Sequence, residues 1–75
     1  MEQEAHVEYT DTFGGEANYC WVKRFTLPGQ ISDLQAVRRA KALVGLTGVR
    51  GRTYKHGGNI EFRPYRMATV LFIFW

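Results

Sequence analysis

The chain has 75 residues, a formal net charge of +3, 45% apolar and 15% aromatic side chains, and one cysteine. That length allows a single small domain, one cysteine excludes an internal disulfide, and the most apolar run, 67–75, is too short to span a bilayer. The acidic, polar start excludes a secretory signal pattern, so the expected location is cytoplasmic, away from membranes.

Taken in chain order, residues 1–5 read as a frayed acidic start. Residues 6–12 alternate Val7 and Tyr9 with Glu8 and Thr10, the period of a half-buried strand. Phe13-Gly14-Gly15-Glu16 is a hairpin turn signal, because paired glycines reach positive φ without strain. Residues 17–27 form the return strand, and Pro28-Gly29 ends it. A helix is predicted over 32–44. Ser32 is its N-cap, Gln35 completes a capping box, Asp33 complements the dipole, and Gly45 stands at C′. Leu34, Ala36, Val37, Ala40, Leu43 and Val44 share its apolar arc, with Leu34, Val37, Ala40 and Val44 expected to be buried and Arg38 and Arg39 exposed. A third strand covers 49–55, His56-Gly57-Gly58-Asn59 turns the chain, and 60–63 returns. The run 67–75 is apolar at nearly every position without a helical period. It suits a strand buried on both faces, or one that pairs with a second copy in a homodimer burying Phe72 or Phe74. The fold class is therefore α+β: an antiparallel sheet of four to five strands in ββαββ(β) order, one helix on one face, and one domain over 1–75.

Turn positions set registers. In the first hairpin Val7 is expected opposite Val22, Tyr9 opposite Cys20, Glu8 opposite Trp21 and Thr10 opposite Tyr19. In the second, Arg52 lies opposite Arg63, Thr53 opposite Phe62, Tyr54 opposite Glu61 and Lys55 opposite Ile60. Alternation then places Val7, Tyr9, Cys20, Val22, Val49, Thr53, Ile60 and Phe62 under the helix. Cys20 reads as a small buried residue. Glu8, Tyr19, Trp21, Lys23, Arg50, Arg52, Tyr54, Glu61 and Arg63 share the other face. Phe25 and Leu27 break this alternation, and a bulge near Arg24 would restore them to the core.

The charges are sorted by position. Residues 1–16 carry five carboxylates and no Lys or Arg, a charge of −5. The rest carries all ten cations against Asp33 and Glu61, a charge of +8. Such sorting points to a charged partner, to internal pairing of the acidic segment against the body, or to both. The candidate binding face is Tyr19, Trp21, Lys23, Arg50, Arg52, Tyr54 and Arg63. The candidate acidic arm is Glu4, Glu8, Asp11 and Glu16. Cations interleaved with aromatics also suit a small nucleic-acid-binding protein, the alternative function. His6, His56 and Cys20 lack metal-ligand spacing, the glycine pairs precede strands rather than helices, and Ser32 has a capping role. A non-enzyme without metal or cofactor is expected.

The run Tyr9-Thr10-Asp11-Thr12-Phe13-Gly14-Gly15-Glu16-Ala17-Asn18-Tyr19, followed by Trp21-Val22, resembles small proteins encoded by phages and prophages. Gly45-Leu46-Thr47-Gly48-Val49-Arg50 and Ile60-Glu61-Phe62-Arg63-Pro64-Tyr65 resemble them too, so the likeness covers most of the chain from Val7 onward. Such proteins include inhibitors of host defence of the anti-CRISPR type. The resemblance implies a binding protein that occludes a bacterial defence effector complex, such as a CRISPR surveillance complex, and blocks target DNA binding. It assigns a role to no single residue.

Overall fold

The computed structural model describes residues 4–75. Strands β1 (Glu4–Phe13) and β2 (Glu16–Pro28) precede helix α1 (Asp33–Leu43), and β3 (Gly51–His56), β4 (Asn59–Pro64) and β5 (Thr69–Phe74) follow. They form one antiparallel sheet in the order β2-β1-β5-β4-β3, with the helix against β5 and β2. The α+β architecture expected from the sequence is thus the one observed. Glu4 and Ala5 belong to β1 and Ala5 is fully buried, so the expected frayed start does not extend to them. The other positions of that expectation, 1–3, lie outside the described residues. No helix among the described residues is long and apolar enough to cross a membrane.

The last strand lies at the centre of the sheet, between β1 and β4. This explains its lack of charge: a central strand offers both faces for burial. Leu71 and Ile73 meet Tyr9 and Val7 under the helix, while Val70, Phe72 and Phe74 point to the opposite face. Val70, Leu71 and Ile73 are fully buried, and Phe72 and Phe74 are half-buried. Ile60 and Phe62 extend the core on β4, and Trp75 is tied back by its indole N–H, which donates to Gly29 O at 3.1 Å.

The second hairpin has the predicted register throughout, from Gly51 opposite Pro64 to His56 opposite Asn59. The first has it only near the turn. Thr12 pairs with Ala17 and Phe13 with Glu16, around Gly14 and Gly15 at φ 62° and 86°, the pattern of a type I′ turn. Beyond it the register shifts. Thr10 pairs with Val22, so Asp11 alone stands opposite Asn18, Tyr19, Cys20 and Trp21. Three extra residues on β2 are an odd number, and an odd shift turns every later side chain to the other face. Phe25 and Leu27 thereby pair with Val7 and Ala5 and pack on the core, while Val22 and Arg24 move to the open face. The bulge that rescues Phe25 exists, but at residues 18–21 rather than near Arg24. Cys20 sits in it, free and exposed, not buried.

Helix α1 has the predicted cap. Ser32 Oγ accepts from Gln35 N at 3.2 Å. At the other end Leu46 N donates to Lys41 O at 2.7 Å and Gly45 N to Ala42 O at 3.4 Å, with Gly45 at φ 77°. These are the two bonds of a Schellman ending, and its Leu46 is buried. The contact line runs along Ala36 and Ala40, which let the helix lie close to the sheet. Leu34 lies about 120–160° around the helix from that line. It is therefore 63% exposed instead of buried, beside the Asp33–Lys55 ion pair. Val37 and Val44 are half-buried, and Arg38 and Arg39 are exposed as expected.

These burials predict unequal costs in denaturant unfolding. Leu71→Ala removes a fully buried side chain and is expected to cost about 2–5 kcal/mol. Leu34→Ala, on the same measurement, is expected to stay within about 0.5–1 kcal/mol.

Candidate partner-binding surfaces

Two surfaces lie outside the core. The first is the sheet face without a helix. Its middle row runs Arg24, Glu8, Phe72, Glu61, Tyr54 across β2, β1, β5, β4 and β3. Arg24 Nε donates to Glu8 Oε2 at 2.9 Å, and Arg63 Nε donates to Glu61 Oε2 at 2.5 Å. Two carboxylates flank Phe72, and each is engaged by its own arginine. The arginine opposite Arg63, Arg52, lies within reach of the Tyr54 and Tyr65 hydroxyls, whose interaction with the guanidinium pushes its pKa up. Of the like-charge pair Arg52–Arg63, Arg63 has its anion inside the molecule, in Glu61. The row above holds Thr26, His6 and Phe74, continuing to Asn59 and His56, with His6 stacked on Phe74 at 5.4 Å and Tyr54 on His56 at 6.3 Å.

The second surface is the sheet end formed by the β1–β2 hairpin and the β4–β5 turn. Backbone and side-chain bonds join them: Thr12 N donates to Ala68 O at 2.9 Å, and Arg63 Nη1 donates to Gly15 O at 2.6 Å. Tyr65 N donates to Arg50 O at 3.0 Å, which brings Arg50 alongside. Phe13, at 79% exposure, lies here with exposed Tyr19, Trp21, Tyr65 and Met67. Of the exposed large apolar side chains among the described residues, only Leu34, Leu43 and Tyr54 lie elsewhere. Tyr19 (φ 54°) and Arg66 (φ 62°), the non-glycine residues with left-handed backbone among those described, also stand at this end.

Asp11 builds the end. Its Oδ1 accepts from Cys20 N at 2.9 Å and its Oδ2 from Asn18 Nδ2 at 3.0 Å, while Thr10 Oγ1 donates to Trp21 O at 2.7 Å. The bonds to the Cys20 amide and the Trp21 carbonyl replace ladder bonds that the bulge forfeits, and the Asn18 side chain braces the carboxylate. The Asn18 side-chain bond is the largest cause holding the Asp11 carboxyl below its ordinary 3.8; desolvation, the next largest, opposes it, and backbone donors including Cys20 add to the lowering.

The predicted binding residues are therefore regrouped. Arg52, Tyr54 and Arg63 share the open face with Glu8 and Glu61. Trp21 leaves it and packs on Tyr9 at 5.3 Å, Lys23 pairs with Tyr9 on the helix side, and Tyr19 rides the bulge. Tyr19 and Trp21 on β2, and Arg50, Arg52 and Arg63 at β3 and β4, lie toward the same end of the sheet but are separated by β1 and β5. The acidic residues do not form an arm. Glu4 pairs with Pro28 at the opposite end, Glu8 is bound to Arg24, Asp11 clamps the bulge, and only Glu16 is left exposed at the turn. Phe13, Tyr65, Arg66 and Met67 were missed because turn residues carry no periodicity; their signal was large apolar side chains inside turn sequences. Among the described residues, no three His, Cys, Asp or Glu side chains are grouped to hold a metal. No family model, curated protein or solved structure matches the chain.

The Asp11 clamp predicts acid sensitivity of this end. A carboxyl whose folded pKa is depressed contributes fully above its ordinary value and loses that contribution as pH falls through the folded pKa. The Cys20 amide and the Trp21 indole are expected to shift by NMR as pH falls below about 3.8. Asp11→Asn is expected to abolish that titration; its persistence in this variant would assign it to another group.

Proposed function

We propose that the chain is a non-enzymatic binding protein that engages a protein partner through the aromatic and arginine-bearing sheet end. In the specific form that the sequence resemblance implies, it is a phage-encoded, anti-CRISPR-like inhibitor. It occludes a bacterial defence effector complex and blocks access to target DNA. The observation that carries the reading is the convergence of exposed Phe13, Tyr19, Trp21, Tyr65 and Met67 with Arg52 and Arg66 on one end. Aromatics, Met and Arg are the residue types that protein interfaces concentrate, and Tyr, Trp and Arg dominate their hot spots. Left-handed backbone at Tyr19 and Arg66 costs on the order of 1 kcal/mol each, and such strain collects at functional sites.

The nucleic-acid reading is weaker. Of the arginines on the open face, Arg24 and Arg63 are held by Glu8 and Glu61. At the sheet end, the carboxylates of Asp11 and Glu16 stand among the aromatics and repel a phosphodiester backbone.

The test is plaquing of a targeted phage on a bacterium with active CRISPR immunity. Expression of the chain is expected to raise plaquing, and Tyr65→Ser with Arg52→Glu to abolish the effect. Losing one such hot spot removes about 2 kcal/mol, a roughly thirtyfold loss of affinity. Arg63 is unsuitable for charge reversal, because it also holds Glu61 and Gly15. No gain in plaquing across the CRISPR types tried would overturn the inhibitor reading. Salt-sensitive binding of labelled oligothymidylate, lost in the same variant, would replace it with the nucleic-acid reading.

A further inference from the structure

The free edges of the sheet are β2 and β3. The bulge at 18–21 interrupts the first, which blunts it as a template for pairing. Strand β3 is unbroken, and every residue from Arg52 to His56 is exposed. Tyr65 N donates to Arg50 O, so in the register of Gly51 opposite Pro64 the backbone groups of Arg52, Tyr54 and His56 face β4. Those of Gly51, Thr53 and Lys55 face outward, in the alternation that a further strand would complete. The two sides of this edge differ. On the open face it carries Arg52 and Tyr54, with Arg50 next in the same alternation. No carboxylate of the described residues is in ion-pair contact with either arginine. On the helix side a groove of about 160 Å³ separates β3 from α1, lined by Asp33, Leu34, Val37, Thr53 and Lys55. Leu34 is the exposed apolar side chain there, and Lys55 is neutralised by Asp33 at 3.3 Å.

We infer that β3 takes an added strand from a partner protein: an extended segment with carboxylates at alternate positions and apolar side chains between them. Strand addition draws affinity from backbone bonds and specificity from alternate side chains. In an antiparallel pairing the residue opposite Arg52 occupies a non-hydrogen-bonded position, with Cα atoms about 4.5 Å apart. A carboxylate there reaches the guanidinium, in the charge-assisted bond that arginine makes best. The residue opposite Thr53 falls on the helix side, over Leu34 and Val37, where an apolar side chain covers the groove. Outward backbone groups, unpaired arginines on one side and an apolar groove on the other thus call for one occupant. A nucleic acid lacks the regular backbone donors that the outward carbonyls of Gly51, Thr53 and Lys55 require. A second copy offers as free edges β3, which has no carboxylate, and β2, which has only Glu16 at the turn and carries Lys23 and Arg24 along its regular part. Like charges in opposition across such a pairing oppose association. The inference rests on the reading of the chain as a protein-binding protein, but not on a defence complex being the partner.

The probe is a capped peptide of alternating Glu and Leu, as long as β3, titrated by NMR into the full isotope-labelled chain. Amide shifts are expected along 51–55, with hydrogen exchange slowed most at Gly51, Thr53 and Lys55. Arg52→Glu and Leu34→Asp, each checked for native far-ultraviolet dichroism, are expected to weaken binding roughly tenfold or more. Both positions are exposed, and an aspartate at 34 suits the first turn of the helix, so the fold is kept. Methylating alternate backbone nitrogens of the peptide is expected to abolish binding, as is replacing its Glu by Lys. Shifts confined to other strands, binding that survives N-methylation, or equal binding of the Lys peptide overturns the inference. So does slower exchange at the same three amides with oligothymidylate in place of the peptide. Peptide binding without a gain in plaquing supports the added strand and overturns the inhibitor reading alone. A gain in plaquing that Leu34→Asp retains, with no peptide bound, overturns the added strand alone.

Discussion

The hydrogen bonds that Asp11 makes to Asn18 and Cys20 set the arrangement of the first hairpin, and through it the character of both sheet faces. Two registers compete on β2. Near the turn, the type I′ geometry of Gly14-Gly15 fixes one; along the rest of the strand, the need to bury Phe25 and Leu27 fixes another. They differ by an odd number of residues and cannot both hold without a bulge between them. A bulge of three extra residues leaves backbone groups unpaired, and these have to find partners. One short carboxylate, facing all four bulged residues, accepts from two of them, and the Thr10 hydroxyl satisfies a third. If the turn register continued unbroken, Phe25 and Leu27 would turn to the open face and the helix would lose half of its seat.

The second constraint is topological. The last strand to be made is the middle strand of the sheet, so the two hairpins touch only through it. Val70, Leu71 and Ile73 are fully buried because each hairpin uses β5 as its neighbour. Until β5 inserts, both hairpins present an unpaired edge, and the pairing that closes the sheet joins residues such as His6 and Phe74 from opposite ends of the chain. Long-range closures of this kind slow folding, because loop entropy is lost before the contacts form. The side-chain bond from Tyr9 to Thr69 at 3.0 Å and the Trp75 bond to Gly29 reinforce that closure at its two ends.

Much of this was legible in the sequence, for local reasons. Ser32, Gly45 and the two glycine pairs are punctuation whose geometry depends on a few neighbouring residues, and each acts as read. The second hairpin has no insertion, so its turn fixed its register. The first hairpin misled because Asp11, Asn18 and Thr10 are ordinary strand-compatible residues whose bulge-clamping role exists only in three dimensions. The break in alternation at Phe25 showed that a shift had to occur but not where. Leu34 misled because a helical wheel gives an apolar arc without saying which line of it meets the sheet, and here the small residues Ala36 and Ala40 do. The assignment of Trp21 and Lys23 to the open face failed with the register.

The sorting of charge along the chain takes on a definite meaning in the folded molecule. Residues that looked like an acidic arm are distributed over both hairpin strands, and the basic body supplies Arg24 to Glu8 while Asp11 serves backbone. On the open face, paired charges alternate with apolar side chains, which makes the surface nearly neutral, selective by pattern and poorly suited to a polyanion. At the sheet end, Arg52 lies near Tyr54 and Tyr65, with Arg50 and Arg66 close by and no carboxylate of the described residues in ion-pair contact with any of the three. Unpaired arginines keep their full attraction for carboxylates on a partner, whereas paired ones must first be released from their own. The bulge thus does two things at once: it turns β2 so that the core closes, and it leaves Tyr19 and Trp21 exposed at the β2 edge of the sheet end, across β1 and β5 from those arginines. The bulged residues 18–21 that disturb the ladder also carry exposed Tyr19 and Trp21, so a change in Asp11 acts on the sheet end before it acts on the core.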